Sequence, residues 1–301
     1  MVLPPGNISS YIEDNDSDTR VHTEESPDED IIRFDVAGTE VMLHRGQGLE
    51  MMNNGQSVFV GEEAGANDDF SNNLNVFIGY HSGRTNTVGD GNVAVGHNTL
   101  SANTIGFGNV ALGINALAAN DTGFMNIGIG VASLFTLKKG TGNIAIGVGA
   151  LRDANAVSGN IAIGGEANSF NLGGINNTVI GHNAARGLGP HSKSGGVYIG
   201  YQAGFYDTTD NKLYIANNSD SALIYGEFDT EMVRIGGTLN IDSAFSFPRT
   251  DGTPGQILRT DGAGNVTWQN LPAGGGSGSA LVTALCDLSL IHISEPTRRE
   301  G

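Results

Sequence analysis

The chain has 301 residues, of which 46 are Gly and only 16% are charged, with a formal net charge of −17. Abundant glycine together with 39% hydrophobic residues indicates a fold that turns often and buries short side chains, and it argues against a disordered chain. The acidity argues against nucleic-acid binding, which needs a basic surface, and the single Cys286 excludes an internal disulfide or a cysteine metal cluster.

The first 56 residues divide into an acidic segment, 1–30, and a predicted strand-rich lead-in, 31–56. Residues 12–30 carry nine carboxylates against the single Arg20. Such a run could bind divalent cations, but it lacks the spacing of a calcium loop, so a solvated segment is favoured. No basic stretch followed by an apolar core opens the chain, which predicts no signal peptide, and no apolar stretch is long enough to predict membrane insertion.

A repeat of 17 residues occupies the chain from about residue 57 to 204. Its marker is a recurring asparagine, at Asn75, Asn92, Asn109, Asn126, Asn143, Asn160 and Asn177. Each asparagine begins a segment such as Asn143-Ile-Ala-Ile-Gly147, and variants at 57–61 and 196–200 bring the number of copies to nine. The repeat predicts an all-β fold, a parallel β-solenoid of nine stacked 17-residue coils with flanking β-segments.

Within each unit the alternation has period two, which predicts a strand with two different faces. The large aliphatic residues on one face are predicted to point into the coil. This predicted core consists of Val93, Val95, Val110, Leu112, Ile127, Ile129, Ile144, Ile146, Ile161, Ile163, Ile180 and Ile199. The small residues Ala94, Ala111, Ala145 and Ala162 are then predicted to face outwards. Such an apolar row favours close contact with another subunit, although small residues could also simply be tolerated on a flat surface.

The second half of each unit is less regular. A recurring leucine, such as Leu100 or Leu151, predicts a second inward point on a short strand. The asparagines could form a ladder of side-chain amides or could fill turns, and turn chemistry is favoured. Loops at 136–140 and 187–193 interrupt the repeat, so they are the candidate contact points for a host glycan or protein receptor. The alternative is that the sequences of these loops vary without having a function. The charged or titratable residues of these loops are Lys138, Lys139, His191 and Lys193.

The unit Asn143-Ile-Ala-Ile-Gly147, followed by Ala150-Leu151, resembles the head repeats of trimeric autotransporter adhesins. It is also similar to repeats of tail-fibre-like bacterial and phage proteins, and the length of 17 residues favours this second variety. The resemblance implies a left-handed parallel β-roll, a homotrimer, a location outside the cell or on a cell or virion surface, and a role in adhesion.

The C-terminal third is predicted to hold a strand connector at 205–247 and a hairpin segment at 248–272, where Asp-Gly pairs signal turns. The hairpin segment resembles a connector common in tail fibres. Residues 273–287 are predicted to be a flexible linker at a truncated end. Residues 288–301 begin Leu288-Ser-Leu-Ile-His-Ile-Ser294, which resembles a translated sequencing adapter, so they carry no functional inference.

The sequence predicts no enzyme and no cofactor. No nucleophile elbow, phosphate loop or His-Glu-x-x-His motif occurs, and His97 and His182 lie five units apart. A hexapeptide-repeat acyltransferase is a remote alternative, disfavoured because 17 is not a multiple of six. Two functions therefore remain: an adhesive fibre segment, and an inert stalk whose binding or chaperone domain is lost by truncation.

Overall fold

The structure is a computed structural model that describes residues 56–237, 248, 252–263 and 265–270, together with seven short strands elsewhere. These residues form strands, turns and bends, with no helix among them. The chain divides into two compact units, Met1–Arg234 and Ile235–Gly301. The predicted linker at 273–287 and the adapter-like stretch at 288–301 lie outside the described residues, as does most of the acidic segment.

The first unit begins with a five-stranded antiparallel meander. Its strands are β1 (Tyr11–Glu13), β2 (Arg20–Thr23), β3 (Ile31–Val36), β4 (Thr39–Arg45) and β5 (Gly48–Met51). Each strand pairs with the next one along the chain. The predicted lead-in at 31–56 therefore contains strands, but the sheet starts earlier, within the acidic segment.

The rest of the first unit is a solenoid built on one twelve-stranded sheet. Its strands are β6 (Val58–Val60), β7 (Val76–Ile78), β8 (Val93–Val95), β9 (Val110–Leu112), β10 (Ile127–Ile129), β11 (Ile144–Ile146), β12 (Ile161–Ile163), β13 (Thr178–Ile180), β14 (Val197–Ile199), β15 (Lys212–Ile215), β16 (Ile224–Glu227) and β17 (Met232–Ile235). Strands β6 to β15 are parallel, and equivalent residues pair, as Ile127 pairs with Ile144. The predicted parallel β-solenoid is confirmed. Strand β15, expected in the connector, extends the parallel part of the sheet, and β16, which pairs antiparallel with β15, and then β17 complete the sheet.

The two faces of these strands are reversed relative to the prediction. The alanines predicted to face outwards, Ala94, Ala111, Ala145 and Ala162, are fully buried in the core. The twelve aliphatic residues predicted as the core lie on the outer face of the sheet, half-buried or exposed: Val93, Val95, Val110, Leu112, Ile127, Ile129, Ile144, Ile146, Ile161, Ile163, Ile180 and Ile199. The alanine row therefore cannot be a subunit contact.

The reversal follows from the narrow interior of the coil. At Gly128, which occupies the same position in its strand as the alanines, an added Cβ would lie 3.3 Å from Leu117 Cγ, so a leucine already fills the space there. The recurring leucines are fully buried as predicted, at Leu100, Leu117, Leu134 and Leu151. They lie in turns and not in the predicted short strand, and each has a left-handed backbone, with φ between 47° and 51°.

The recurring asparagines form a continuous ladder inside the coil. Asn143 donates to Asn126 Oδ1 from its backbone nitrogen at 3.1 Å and from Nδ2 at 2.9 Å. The same Nδ2 also donates to the carbonyl oxygen of Val157 at 2.8 Å. Equivalent bonds join each successive pair from Asn75 to Asn177. The favoured turn interpretation is therefore wrong, because the asparagines are buried where only other protein groups can satisfy their amides.

A second, shorter ladder runs beside the first, and the two share backbone acceptors such as the carbonyl oxygen of Gly106. Asn103 Nδ2 donates to Asn86 Oδ1 at 2.7 Å, and Asn120 Nδ2 donates to Asn103 Oδ1 at 2.8 Å. Asp68 ends both ladders, because its Oδ2 accepts from Asn86 Nδ2 at 3.2 Å and from Asn75 Nδ2 at 3.4 Å. One buried carboxylate thus supplies the terminal acceptor for two rows of amides.

The second unit contains two strand pairs. Strands β18 (Asn240–Ile241) and β19 (Phe245–Ser246) are antiparallel, and β20 (Gln256–Thr260) and β21 (Val266–Asn270) form a hairpin. Leu258 lies opposite Trp268 in this hairpin. Its turn lies where the Asp261-Gly262 pair predicted one, and Asp261 Oδ1 accepts from the Ala263 nitrogen at 2.7 Å.

Candidate interaction surface

The outer face of the parallel sheet carries two columns of aliphatic side chains. One column holds the first residue of each strand, such as Ile144, and is half-buried. The other holds the third residue, and its members are more open: Ile146 and Ile163 are each 36% exposed, and Ile180 is 40% exposed. Because the strands pair in register, the columns continue from coil to coil, the second without interruption and the first with Thr178 in place of an aliphatic residue.

A third column follows the strands at the corner where the chain leaves the sheet. Here the turn glycine is followed by an outward side chain, and Ile114, Val131 and Val148 form the middle of the column. The left-handed backbone of Gly147 (φ 134°) makes this corner, and a Cβ there would lie only 2.5 Å from the carbonyl oxygen of Gly164. Aliphatic side chains beyond the glycine therefore extend the apolar band around the corner.

Aromatic and imidazole rings lie on either side of these aliphatic residues in the third column, and Glu62 precedes them in the first coil. The rings of Tyr80 and His97 stack with centroids 5.2 Å apart, and those of His182 and Tyr201 stack at 6.0 Å. The two histidines therefore lie far apart in the stack of coils, as the sequence predicted. Among the described residues, no three His, Cys, Asp or Glu side chains come together as ligands for a metal ion.

A shorter apolar patch lies at the other corner, where the chain enters the sheet. Phe107 and Phe124 stack almost in parallel, with ring centroids 4.8 Å apart and planes 8° apart. Both rings are exposed, and they are flanked by the exposed side chains of Ile105 and Met125. The pair was not predicted, although the sequence shows it to be unusual, since most equivalent residues of other coils are polar, such as Asp90, Thr141 and Ser158, and the exposed Ile175 is the aliphatic exception.

The resulting apolar band is large for the surface of an isolated chain. Ten parallel rungs at ~4.8 Å and three strand residues at ~3.3 Å outline a face on the order of 500 Å², which the apolar corner residues beside β9 and β10 enlarge. Monomeric proteins rarely expose contiguous apolar patches above a few hundred Å². A standard protein–protein interface buries about 800 Å² on each partner. The band therefore has the chemistry of an interface between proteins and more than half of the standard area on one partner.

The four predicted contact residues do not share one environment. Lys138 and Lys139 are exposed, and no ion pair joins either of them to another described residue. His191 and Lys193, in contrast, are buried, with relative exposures of 8% and 1%. The prediction that they contact a receptor is wrong, because the loop folds both side chains into the interior of the last coils.

Lys193 is the centre of a buried polar cluster. Its Nζ donates to the carbonyl oxygen of Asp207 at 2.7 Å and lies 4.9 Å from the centroid of the Tyr198 ring. Tyr198 Oη donates to Asp207 Oδ2 at 2.7 Å, and burial raises the pKa of this phenol. Burial also lowers the pKa of Lys193 to about 8, although the charge of Asp207 opposes the shift. The cluster fastens the segment that follows the last repeat onto the end of the core.

Unpartnered polar side chains are buried near this cluster. Both amide atoms of Asn168, the hydroxyl of Ser169 and Nδ1 of His191 lack a hydrogen-bond partner. His191 Nε2 lies 3.0 Å from the carbonyl oxygen of Ala185, and burial lowers the pKa of His191 to about 4, aided by the charge of Lys193. The sequence alone indicates that this amide is buried, since Asn168 occupies a position at which four earlier coils have leucine.

No helix among the described residues is long and apolar enough to cross a membrane. Comparison of the chain with protein-family models, curated proteins and solved structures finds no match. The fold and the apolar band are therefore the observations from which a function can be argued.

Proposed function

We propose that this chain is a non-catalytic structural segment of a surface fibre, and that three copies associate through the aliphatic face of their parallel sheets. The observation that supports the proposal is the unbroken outward row of large aliphatic side chains on β6 to β15. A solenoid of nine 17-residue coils at ~4.8 Å per rung supplies a stiff rod about 43 Å long. The resemblance to trimeric adhesin heads and tail fibres favours three copies and a location outside the cell or on a virion.

The apolar face explains why assembly would stabilise the rod. Removing aliphatic side chains from water yields roughly 25 cal/mol for each Å² of apolar surface. Few charged side chains interrupt the band, since the strand positions on it are almost all Val, Ile or Leu. The charges that keep the assembled rod soluble would lie on the other sides of the coil, where Lys138, Lys139 and Asp153 are found.

Sedimentation of the full chain tests the assembly. The expected particle has three times the 31.2-kDa mass of one chain. The double variant Ile129→Lys and Ile146→Lys should reduce the trimer to monomers, because each added ammonium would lose its hydration in the interface. The matched control is Ala156→Lys with Leu172→Lys, at exposed positions away from the band, and it should remain trimeric. A monodisperse wild-type monomer, or a double variant that stays trimeric, would remove the proposal.

The adhesive part of the proposal rests on the exposed Lys138 and Lys139, which offer cationic groups on an otherwise acidic chain. Binding of the trimer to arrayed glycans and to host cells should weaken severalfold in the variant Lys138→Gln with Lys139→Gln. A folded trimer that binds nothing in either assay would leave the inert spacer as its function.

A further inference from the structure

The aliphatic face alone cannot align one copy with another along the rod. Its two strand columns repeat in every coil, so a slide of one rung, ~4.8 Å, would restore nearly all contacts. Repetitive apolar surfaces specify their register weakly unless some feature breaks the repetition. Any register between copies must therefore come from residues that differ from coil to coil.

The corners beside strands β8, β9 and β10 contain such residues. On the entry side, Phe107 and Phe124 stand three residues before β9 and β10. On the exit side, Ile114 and Val131 stand two residues after the same two strands. Ile114 is 50% exposed and Val131 is 43% exposed, and both phenyl rings are accessible. For these two strands alone, an aromatic group on one corner is matched by an aliphatic group on the other.

Polar residues bound the matched pairs on both sides. The residue equivalent to Phe107 in the coil before is Asp90, and the residue equivalent to Phe124 in the coil after is Thr141. Strand β8, which Asp90 precedes, is followed by His97 on its exit corner. The sequence of corner groups is therefore acidic, aromatic, aromatic and hydroxyl on one side. On the other side it is imidazole followed by three aliphatic residues.

We propose that Phe107 and Phe124 of one copy pack against Ile114 and Val131 of the next copy, and that this contact sets the axial register of the fibre. The proposal rests on the trimer proposed above, in which the entry corner of each chain meets the exit corner of its neighbour. In register, Asp90 also meets His97, a favourable pairing of a carboxylate with an imidazole.

A slide of one rung in either direction breaks part of this match. In one direction Phe107 and Phe124 would still meet aliphatic residues, Val131 and Val148, but Asp90 would lie against Ile114, where a carboxylate loses water without gaining a partner. In the other direction Phe107 would lie against His97, and Thr141 would replace Phe124 against Val131. The strand columns would be unchanged in both cases, so the corners alone decide between the three alignments.

Disulfide trapping in the full chain tests the proposal, with Cys286→Ser as the background. The pair Thr141→Cys and Val148→Cys flanks β11 and reports the proposed register as a link between chains. The pair Ser158→Cys and Val148→Cys leaves the four contact residues in place and reports a slide of one rung. We expect efficient linkage in the first reporter and little in the second. Adding Phe107→Ser and Phe124→Ser should shift linkage severalfold towards the second reporter, while sedimentation still shows a trimer.

The matched control is Leu172→Ser with Leu188→Ser, two exposed aliphatic residues of later coils, outside the corners beside β9 and β10, and it should leave the pattern unchanged. A trimer whose linkage does not respond to the phenylalanine substitutions would overturn the register assignment and leave the assembly intact. A monomer in sedimentation would overturn both proposals.

Discussion

Asn126 Oδ1 accepts two hydrogen bonds from Asn143, one from the backbone nitrogen at 3.1 Å and one from Nδ2 at 2.9 Å. The side chain of Asn126 also donates from Nδ2 to the carbonyl oxygen of Gly140 at 2.9 Å. One amide therefore satisfies buried groups in its own coil and in the next one. The ladder is a connected network, and the loss of one member removes hydrogen bonds from groups in two coils.

Replacing this asparagine should destabilise the solenoid strongly. Asn126→Ala leaves the buried backbone nitrogen of Asn143 without a partner and removes one of the two bonds to the Gly140 carbonyl oxygen, so we expect a loss of ~2–4 kcal/mol in the free energy of unfolding. The matched control is Asn155→Ala, which removes the same atoms from an exposed side chain. Thermal denaturation at fixed chain concentration measures both. Equal midpoints for the two variants would contradict a stabilising role of the ladder.

Replacing Asn168 by leucine should have the opposite effect and stabilise the solenoid. Its amide is fully buried without a partner, in a column where Leu151 precedes it. Asn168→Leu keeps the approximate volume and removes two unsatisfied polar atoms, so the free energy of unfolding should rise by ~1–3 kcal/mol. Urea denaturation would measure the gain. If the variant is instead less stable than wild type, the amide must have a partner in solution.

The inward direction of the alanine row can be tested by enlarging one member. Ala145→Leu adds three carbons to a fully buried position, and overpacking of this kind costs ~1–3 kcal/mol. Ala156→Leu makes the same change at an exposed position of the same coil and should leave the thermal midpoint within about 1 °C of wild type. Should Ala145→Leu be tolerated as well as its control, the alanine would have to face outwards.

The buried imidazole of His191 predicts an acid-sensitive end of the solenoid. Its pKa is lowered to about 4 in the folded chain, below the ordinary value of 6.5, so the unfolded chain binds more protons between these values. Stability from this group is therefore complete above pH 6.5 and declines as the pH falls towards 4. His191→Gln should flatten this part of the pH profile. Parallel profiles for wild type and variant between pH 4 and 7 would refute the assignment.

The repeat was readable from the sequence because every coil has the same length and the same glycine corner. Seven asparagines at a spacing of 17 residues predicted the strands, and each strand begins one residue after its asparagine, as β11 does after Asn143. The buried position of Leu151 was also predictable, because an aliphatic residue recurs there. Identical units must occupy identical environments, so one correct unit fixes the stack.

The direction of the strand faces was not readable from hydrophobicity, because both faces are apolar. In Ile144-Ala-Ile146 the larger residues suggested a core, yet the narrow coil accepts only the alanine beside a leucine from the opposite wall. The alternation of strand residues predicts the direction of the faces better than hydrophobicity does. Asn143 and Ala145 must share a face, so an inward amide ladder requires an inward alanine.

The burial of the second contact loop could not be predicted, since it depends on an irregular coil. Lys193 replaces the glycine or valine that accepts the asparagine amide in earlier coils, and its own carbonyl oxygen accepts from Asn177 Nδ2 at 2.8 Å. Its side chain therefore starts inside the coil and must end on a partner there. Only the later segment, which brings Asp207 to it, provides that partner.

The asparagine ladder makes the length of the rod adjustable in fixed steps. Every junction between neighbouring coils uses the same bonds, so adding or removing one complete unit of 17 residues joins chemically identical ends. Only whole units have this property, because a partial one would place another side chain where an amide is required. Unequal recombination within the gene would therefore yield folded rods whose lengths differ by ~4.8 Å for each unit gained or lost. The hydrogen bonds of the ladder thus set the step in which the length of the rod can change.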